Sequence, residues 1–120
     1  FLPLAAAGFA ALTATGGAER RLAGWLSGAH QAVLAGLMEL DRLRRWQERA
    51  VESVAGLSGR TPRLLLDCLA RHPMVSAPQA ESETGASRAA VERNLTLLVT
   101  RGVAREVTGA GRFRVWTAAV

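Results

Sequence analysis

The stretch from Ser76 to Val120 constrains the fold more tightly than any other part of the chain. Ser76, with Gln79 three residues on, has the form of a helix start in which the two side chains cap one another's backbone. The short helix that follows, about Ala77 to Thr84, carries Ala80 where a small side chain lets a second helix approach. Glu81 and Glu83 are expected on its outside, and Gly85 supplies the left-handed conformation that ends it. Ser87 then caps a second helix running to about Arg101, whose Val91, Leu95 and Leu98 recur at the spacing of one buried face before Gly102 stops it. Two short helices crossing over a tight turn in this way form a helix-turn-helix. The geometry implies duplex DNA as the partner, with the second helix in the major groove.

Downstream, Val103 to Thr108 and Arg112 to Thr117 flank Gly109-Ala110-Gly111. The first run sets Val103, Arg105 and Val107 against Ala104 and Glu106; the second sets Phe113 and Val115 against Arg112, Arg114 and Trp116. Alternation on both sides of a glycine-rich turn predicts a β-hairpin, the wing, over about 103–117. Trp116 is expected to pack on the first helix of the domain.

That first helix begins at Thr61-Pro62, with Thr61 as N-cap and Pro62 in the first turn, where its missing N–H costs nothing. Leu64, Leu65, Cys68 and Leu69 give it a buried side, and Pro73 ends it near His72. Met74-Val75 can add a short strand. His72 is expected as a helix-end residue, and the sequence sets no second His or acidic cluster at ligand spacing, so neither a metal nor another cofactor is expected. Cys68 is the single cysteine, which leaves no internal disulfide or cysteine-based zinc site. It suits a reducing, cytoplasmic setting and is read as a buried apolar side chain.

Ahead of this domain the chain divides into an Ala-rich segment at 1–17, a buried helix or frayed domain end, and a helical arm at 18–57. The hinge Ser58-Gly59-Arg60 leads into the winged part at 61–120. In the arm, Leu22, Leu26, Ala29, Val33, Leu40, Leu43, Ala50, Val54 and Leu57 follow one alternating four-and-three spacing, interrupted at Gly36 and Gln47. Trp25, Leu37, Met38 and Trp46 widen the apolar face, and a stripe this broad must pack on something. Gly24, Gly28 and Gly36 mark either close helix crossings or a break into two helices, and His30 reads as a helix surface or interface residue. The arm is expected to pair with a second copy. The apolar run before Ala14 is shorter than the roughly 18 residues a membrane span requires and lacks a basic flank, so no membrane association is expected. Phe1 in place of Met is what a piece of a longer protein would show.

Composition adds little. The net charge is +5, yet all fifteen basic residues are Arg, Tyr is absent and Asn occurs once, which is the skew of a high-GC coding bias. Basicity alone is therefore weak evidence for nucleic acid. The specific evidence lies in the second helix, whose outer face carries Ser87, Arg88, Ala89, Glu92, Arg93 and Thr96. Arg88 and Ala89 fall in the first turn, where an Arg can bond guanine through two hydrogen bonds and an Ala methyl can meet a thymine methyl. Ser87 and the free N–H groups of that turn can hold a phosphate oxygen. Glu92 accepts from cytosine or pairs with Arg88 four residues away. Arg105, Arg112 and Arg114 would hold the DNA backbone from the wing.

The run Arg88-Ala89-Ala90-Val91-Glu92-Arg93-Asn94-Leu95-Thr96-Leu97-Leu98 stands ahead of two further runs, Gly102-Val103-Ala104-Arg105-Glu106-Val107-Thr108-Gly109 and Arg112-Phe113-Arg114-Val115. Together they resemble the winged-helix domain that many bacterial proteins carry at their C-terminus. They are similar to the end of Fic-type proteins. They are equally similar to an uncharacterised, often plasmid-borne proteobacterial helix-turn-helix family, which also has a stretch like Gly36-Leu37-Met38-Glu39-Leu40-Asp41-Arg42-Leu43. The resemblance implies a bacterial, DNA-binding regulator of transcription. The Fic catalytic motif is absent, and neither a positioned His–carboxylate pair nor a phosphate loop with Lys is present, so no enzyme is expected. The expected fold is mainly α: a helical arm plus a winged helix-turn-helix with a small C-terminal β-hairpin. The expected function is sequence-specific binding of double-stranded DNA by a homodimer, with recognition helix about 88–101. The alternative is a protein–protein interaction winged helix that docks onto a preceding domain or a partner.

Overall fold

The computed structural model of the chain describes residues 5–109 and 113–120. It contains five helices and three strands among those residues: α1 (Ala6–Thr13), α2 (Ala18–Val54), α3 (Thr61–Arg71), β1 (Val75–Ser76), α4 (Ala77–Thr84), α5 (Arg88–Thr100), β2 (Ala104–Glu106) and β3 (Val115–Ala118). The fold is mainly α with a small antiparallel sheet near the C-terminus. Two compact units divide between Asp41 and Arg42, inside α2.

In the first unit, α1 lies against α2 where glycine permits it. A Cβ on Gly24 would stand 2.9 Å from the Cβ of Ala11. That close approach identifies Gly24 as a helix-crossing residue. Gly28 is buried and its carbonyl accepts from the Ala5 N–H. Gly36, by contrast, has open space around it, and α2 passes through it without a break. The contact with α1 takes up Gly24, Trp25 and Gly28 and leaves the leucine stripe uncovered. Leu22, Leu26, Val33, Leu37 and Leu40 are all more than half exposed.

The second unit holds one continuous core. Trp46, Ala50 and Val54 from the last turns of α2 join Leu65, Leu66, Cys68 and Leu69 of α3, Ala77 and Ala80 of α4, Val91, Leu95 and Leu98 of α5, and Trp116 of β3. Trp46 is fully buried, and its indole N–H donates to the Val103 carbonyl at 2.7 Å. The Arg101 guanidinium donates to the Ser53 carbonyl, joining the end of α5 to the end of α2. Sequence spacing places Trp46 beside the arm's apolar seam; packing makes it part of the core of the second unit.

The helix-turn-helix forms as its residues dictate. Ser76 Oγ accepts the Gln79 N–H, and Ser87 Oγ accepts the Ala90 N–H. Gly85 adopts the left-handed conformation at φ 65°. Ala80 is completely buried where the helices meet, and Thr84 bridges the turn: its hydroxyl donates to the Ala80 carbonyl and accepts from the Ala86 N–H.

Four expectations are corrected. Thr61 is not a capping residue: α3 starts at Thr61 itself, because Arg60 is already in a helical conformation and accepts from the Leu64 N–H. The Ser76–Gln79 box is half formed, since the Gln79 side chain donates forward to Glu83 instead of back to the cap. Glu81 and Glu83 are half-buried, not outside, because Arg88 draws in the first while Arg71 and His72 draw in the second. The wing strands are also shorter than alternation implied. Thr108 Oγ1 takes the Val115 N–H, and Phe113 adopts φ 57°, which interrupts an extended strand. The glycine-rich turn expected at Gly109-Ala110-Gly111 falls largely outside the described residues.

The sheet has the order β1-β3-β2, with Val75 opposite Trp116 and Glu106 also opposite Trp116 from the other side. The short strand at Val75 thus gives the hairpin a third member. No helix among the described residues is long and apolar enough to cross a membrane.

A Trp46→Phe substitution should destabilise the second unit by about 0.5–1.5 kcal/mol through the lost indole hydrogen bond alone, the Val103 carbonyl keeping its bond from the Ala119 N–H, with the void adding to it. Urea unfolding followed by far-UV circular dichroism measures this; an unchanged midpoint would show that the hydrogen bond carries no weight.

Candidate nucleic-acid interface

Helix α5 turns Val91, Leu95 and Leu98 completely inward. The same geometry turns Ser87, Arg88, Ala89, Arg93 and Thr96 outward, and all five are exposed. The exposed set begins in the helix's first turn, where N–H groups lack helical partners and favour an anion. Thr96 spends its hydroxyl on the Glu92 carbonyl one turn back, so its methyl is the part offered outward.

The two arginines of this face differ in state. Arg88 Nε lies 2.8 Å from Glu92 Oε1 and 3.4 Å from Glu81 Oε1. The hydrogen bond to Glu92 is the main cause holding the guanidinium above its ordinary pKa, with the charges of Glu92 and Glu81 adding to it. Sequence spacing had suggested the Glu92 partner; Glu81 comes from α4 and is brought there by the helix crossing. Arg93 is exposed and has no ion pair among the described residues. It lines a groove with Leu57, Ser58, Gly59, Thr61, Pro62 and Ala90.

The wing arginines also differ. Arg105 is exposed on β2 and unpaired among the described residues. Arg114 Nη2 sits 2.5 Å from Glu106 Oε2, and its guanidinium lies 4.9 Å from the centre of the Trp116 ring, within cation–π range. Arg112 lies outside the described residues. Trp116 is fully buried and packs toward α3, which removes it as a base-stacking residue.

Phe113 was read from the sequence as a strand residue. It is instead 91% exposed beside the turn, at φ 57°. A bulky residue in that conformation costs on the order of 1–3 kcal/mol. Alternation could not have disclosed this, because a pattern of side chains does not report the backbone angles of a single residue.

Glu106 is held below the usual carboxylate range, chiefly by the hydrogen bond from Arg114, then by that residue's charge and a hydrogen bond from Thr108, with partial burial opposing. A carboxylate whose folded pKa is depressed contributes stability that is present above its unfolded pKa and is lost as pH falls through the folded value. Glu106→Gln should therefore cost stability at neutral pH and nothing once the pH falls below the folded-state carboxylate range. Thermal unfolding of both proteins across that acidic window measures the convergence; curves that stay parallel would remove Glu106 as its source.

The stretch from α3 to β3 has a counterpart among known families. Residues 62–118, from the first turn of α3 to the end of β3, match the family model described as an HTH DNA binding domain. The match supports a C-terminal helix-turn-helix domain whose partner is DNA. Comparison with curated proteins finds no match.

Proposed function

We propose that the chain is a sequence-specific DNA-binding module of a transcriptional regulator, with α5 in the major groove and the wing along the backbone. The observation that carries this reading is the exposed surface of α5: Ala89, Arg93 and Thr96 stand exposed opposite the buried row of Val91, Leu95 and Leu98, and Ser87 and Arg88 are exposed at the helix's N-terminal end. Arg88 is the base-reading side chain. Glu92 by a hydrogen bond and Glu81 by its charge hold it over the helix and raise the cost of binding any site that does not replace the Glu92 hydrogen bond, so guanine is favoured over a bare phosphate. Glu92, released from Arg88, is placed to accept from a cytosine amino group. Arg93 and Arg105 supply unpaired charge for phosphates. Arg112 and Arg114 join them at the wing, Arg114 only after giving up Glu106. Phe113 is the wing's apolar tip, of the kind that enters the minor groove and wedges between base steps.

Two copies would pair through the exposed stripe Leu22, Leu26, Val33, Leu37 and Leu40, setting two recognition helices about one DNA turn apart on a pseudo-palindrome. A second reading, docking of the winged domain onto another protein, is favoured by the same stripe and by the carboxylates that offset Arg88.

Fluorescence anisotropy on random and selected duplexes across a salt series tests these roles. Arg88→Ala should cost about 1–3 kcal/mol on the preferred site and relax one base pair. Arg93→Ala and Arg105→Ala should weaken all sequences alike and flatten the salt slope by about one unit each. Phe113→Gly should relieve the backbone conformation without lowering stability, yet weaken binding and reduce DNA bending read by end-to-end energy transfer. Absence of salt-dependent binding in the unsubstituted chain would hand the function to protein docking. Val33→Asp combined with Leu37→Asp should convert a sedimenting dimer to a monomer, whereas a monomer before substitution would remove the pairing arm.

A further inference from the structure

Away from the α5 face, the crossing of α3 and α4 brings a third side chain to two that the sequence sets close together. Cys68 on α3 and His72 at its C-cap are four residues apart, and Glu83 reaches them from the last turn of α4. Their candidate ligand atoms all lie within 4.8 Å of one another, the one such group among the described residues. His72 Nε2 is 2.7 Å from Glu83 Oε1. Glu83 Oε2 is buried and makes no hydrogen bond; Arg71 Nη2 stands 3.1 Å away as a charge contact in a direction unsuited to one. Cys68 is fully buried, while His72 and Glu83 side chains retain 35% and 22% exposure, so the group opens to solvent from one side.

We infer that Cys68, His72 and Glu83 form a binding site for a divalent transition-metal ion, with zinc as the best fit. A thiolate, a neutral imidazole and a carboxylate are the donor types that zinc takes, commonly three from protein and a fourth from water. Around a tetrahedral zinc, neighbouring donors stand roughly 3.3–3.6 Å apart, given bond lengths of about 2.0–2.3 Å. The widest separation here must close by about an ångström, and the His72–Glu83 pair must open by somewhat less. Both adjustments fall to side chains at the solvent edge. The thiolate and the carboxylate together carry the two negative charges that balance the ion, and Arg71, 63% exposed, is held otherwise only by its Nε hydrogen bond to the Asp67 carbonyl and can turn its terminal nitrogens outward. The Cys68 proton leaves to solvent as the sulfur binds. Occupancy clamps α3 to α4, the helix that crosses α5, so the ion would stiffen the helix-turn-helix without touching its outer face.

The test uses the whole chain under reducing conditions, titrated with Co²⁺ and then displaced with Zn²⁺. The expected result is one ion per chain and a thiolate-to-cobalt charge-transfer absorption that zinc abolishes. Cys68→Ala should remove that absorption. His72→Gln and Glu83→Gln should each weaken zinc by at least the roughly tenfold that follows loss of a group hydrogen-bonded to a ligand. His72→Gln, at a partly exposed helix end, keeps the experiment decisive if Cys68→Ala unfolds; circular dichroism verifies the fold of each variant. No charge-transfer absorption, or zinc binding of equal strength in folded His72→Gln and Glu83→Gln, would overturn the site and leave the three residues as a hydrogen-bonded contact. Either outcome is independent of whether α5 binds DNA.

Discussion

The carbonyl of Val103 is where the second unit is tied together. It lies in the turn between α5 and β2, and it accepts from the buried Trp46 indole at 2.7 Å and from the Ala119 N–H at 3.1 Å. A carbonyl has two lone pairs, and here each is used by a different part of the chain. The Val103 N–H in turn donates to Leu98 at the end of α5. The backbone of one residue thus connects the end of α2, the end of α5 and the end of β3. Because Trp46 is fully buried, an unmade hydrogen bond there would carry the whole desolvation cost, so the orientation of α5 against the sheet and the last turns of α2 is strongly specified.

That specification bears on the proposed role of the α5 face. Side chains that discriminate a partner must be held by a scaffold that does not yield, and the fully buried row of Val91, Leu95 and Leu98 gives α5 such a scaffold. Charge is distributed with the same economy. Of the arginines facing the proposed groove and wing, Arg88 and Arg114 are each engaged by carboxylates, whereas Arg93 and Arg105 are open among the described residues. The engaged ones must exchange one hydrogen-bonded partner for another, which favours contacts of correct geometry. The open ones add charge without discrimination.

The arm of the first unit presents the opposite case. Its leucine stripe is more than half exposed because α1 is short and takes the glycine side of α2 instead. A sustained row of exposed leucines is an apolar patch of the kind that marks an interface. No charged residue interrupts it between Leu22 and Met38, and the physical question it poses is what removes it from water.

Much of the winged domain could be read directly from residue order because its signals are local. Ser76, Gly85, Ser87 and Gly102 act on the backbone within a few residues of themselves, and Val91, Leu95 and Leu98 share a face by helical period alone. Helix existence, the turn and the outward placement of Arg88, Ala89 and Arg93 follow from that. What local order could not decide was every contact made across elements. The capture of Arg88 by Glu81, the burial of Trp46 under Val103, the third strand against Trp116, and the meeting of Cys68 and His72 with Glu83 all depend on how α3, α4 and the sheet pack. The same holds for Phe113, whose φ of 57° departs from the strand that alternation predicts. Periodicity tells which side of an element is buried; only the packed core decides which polar group on a neighbouring element it will face.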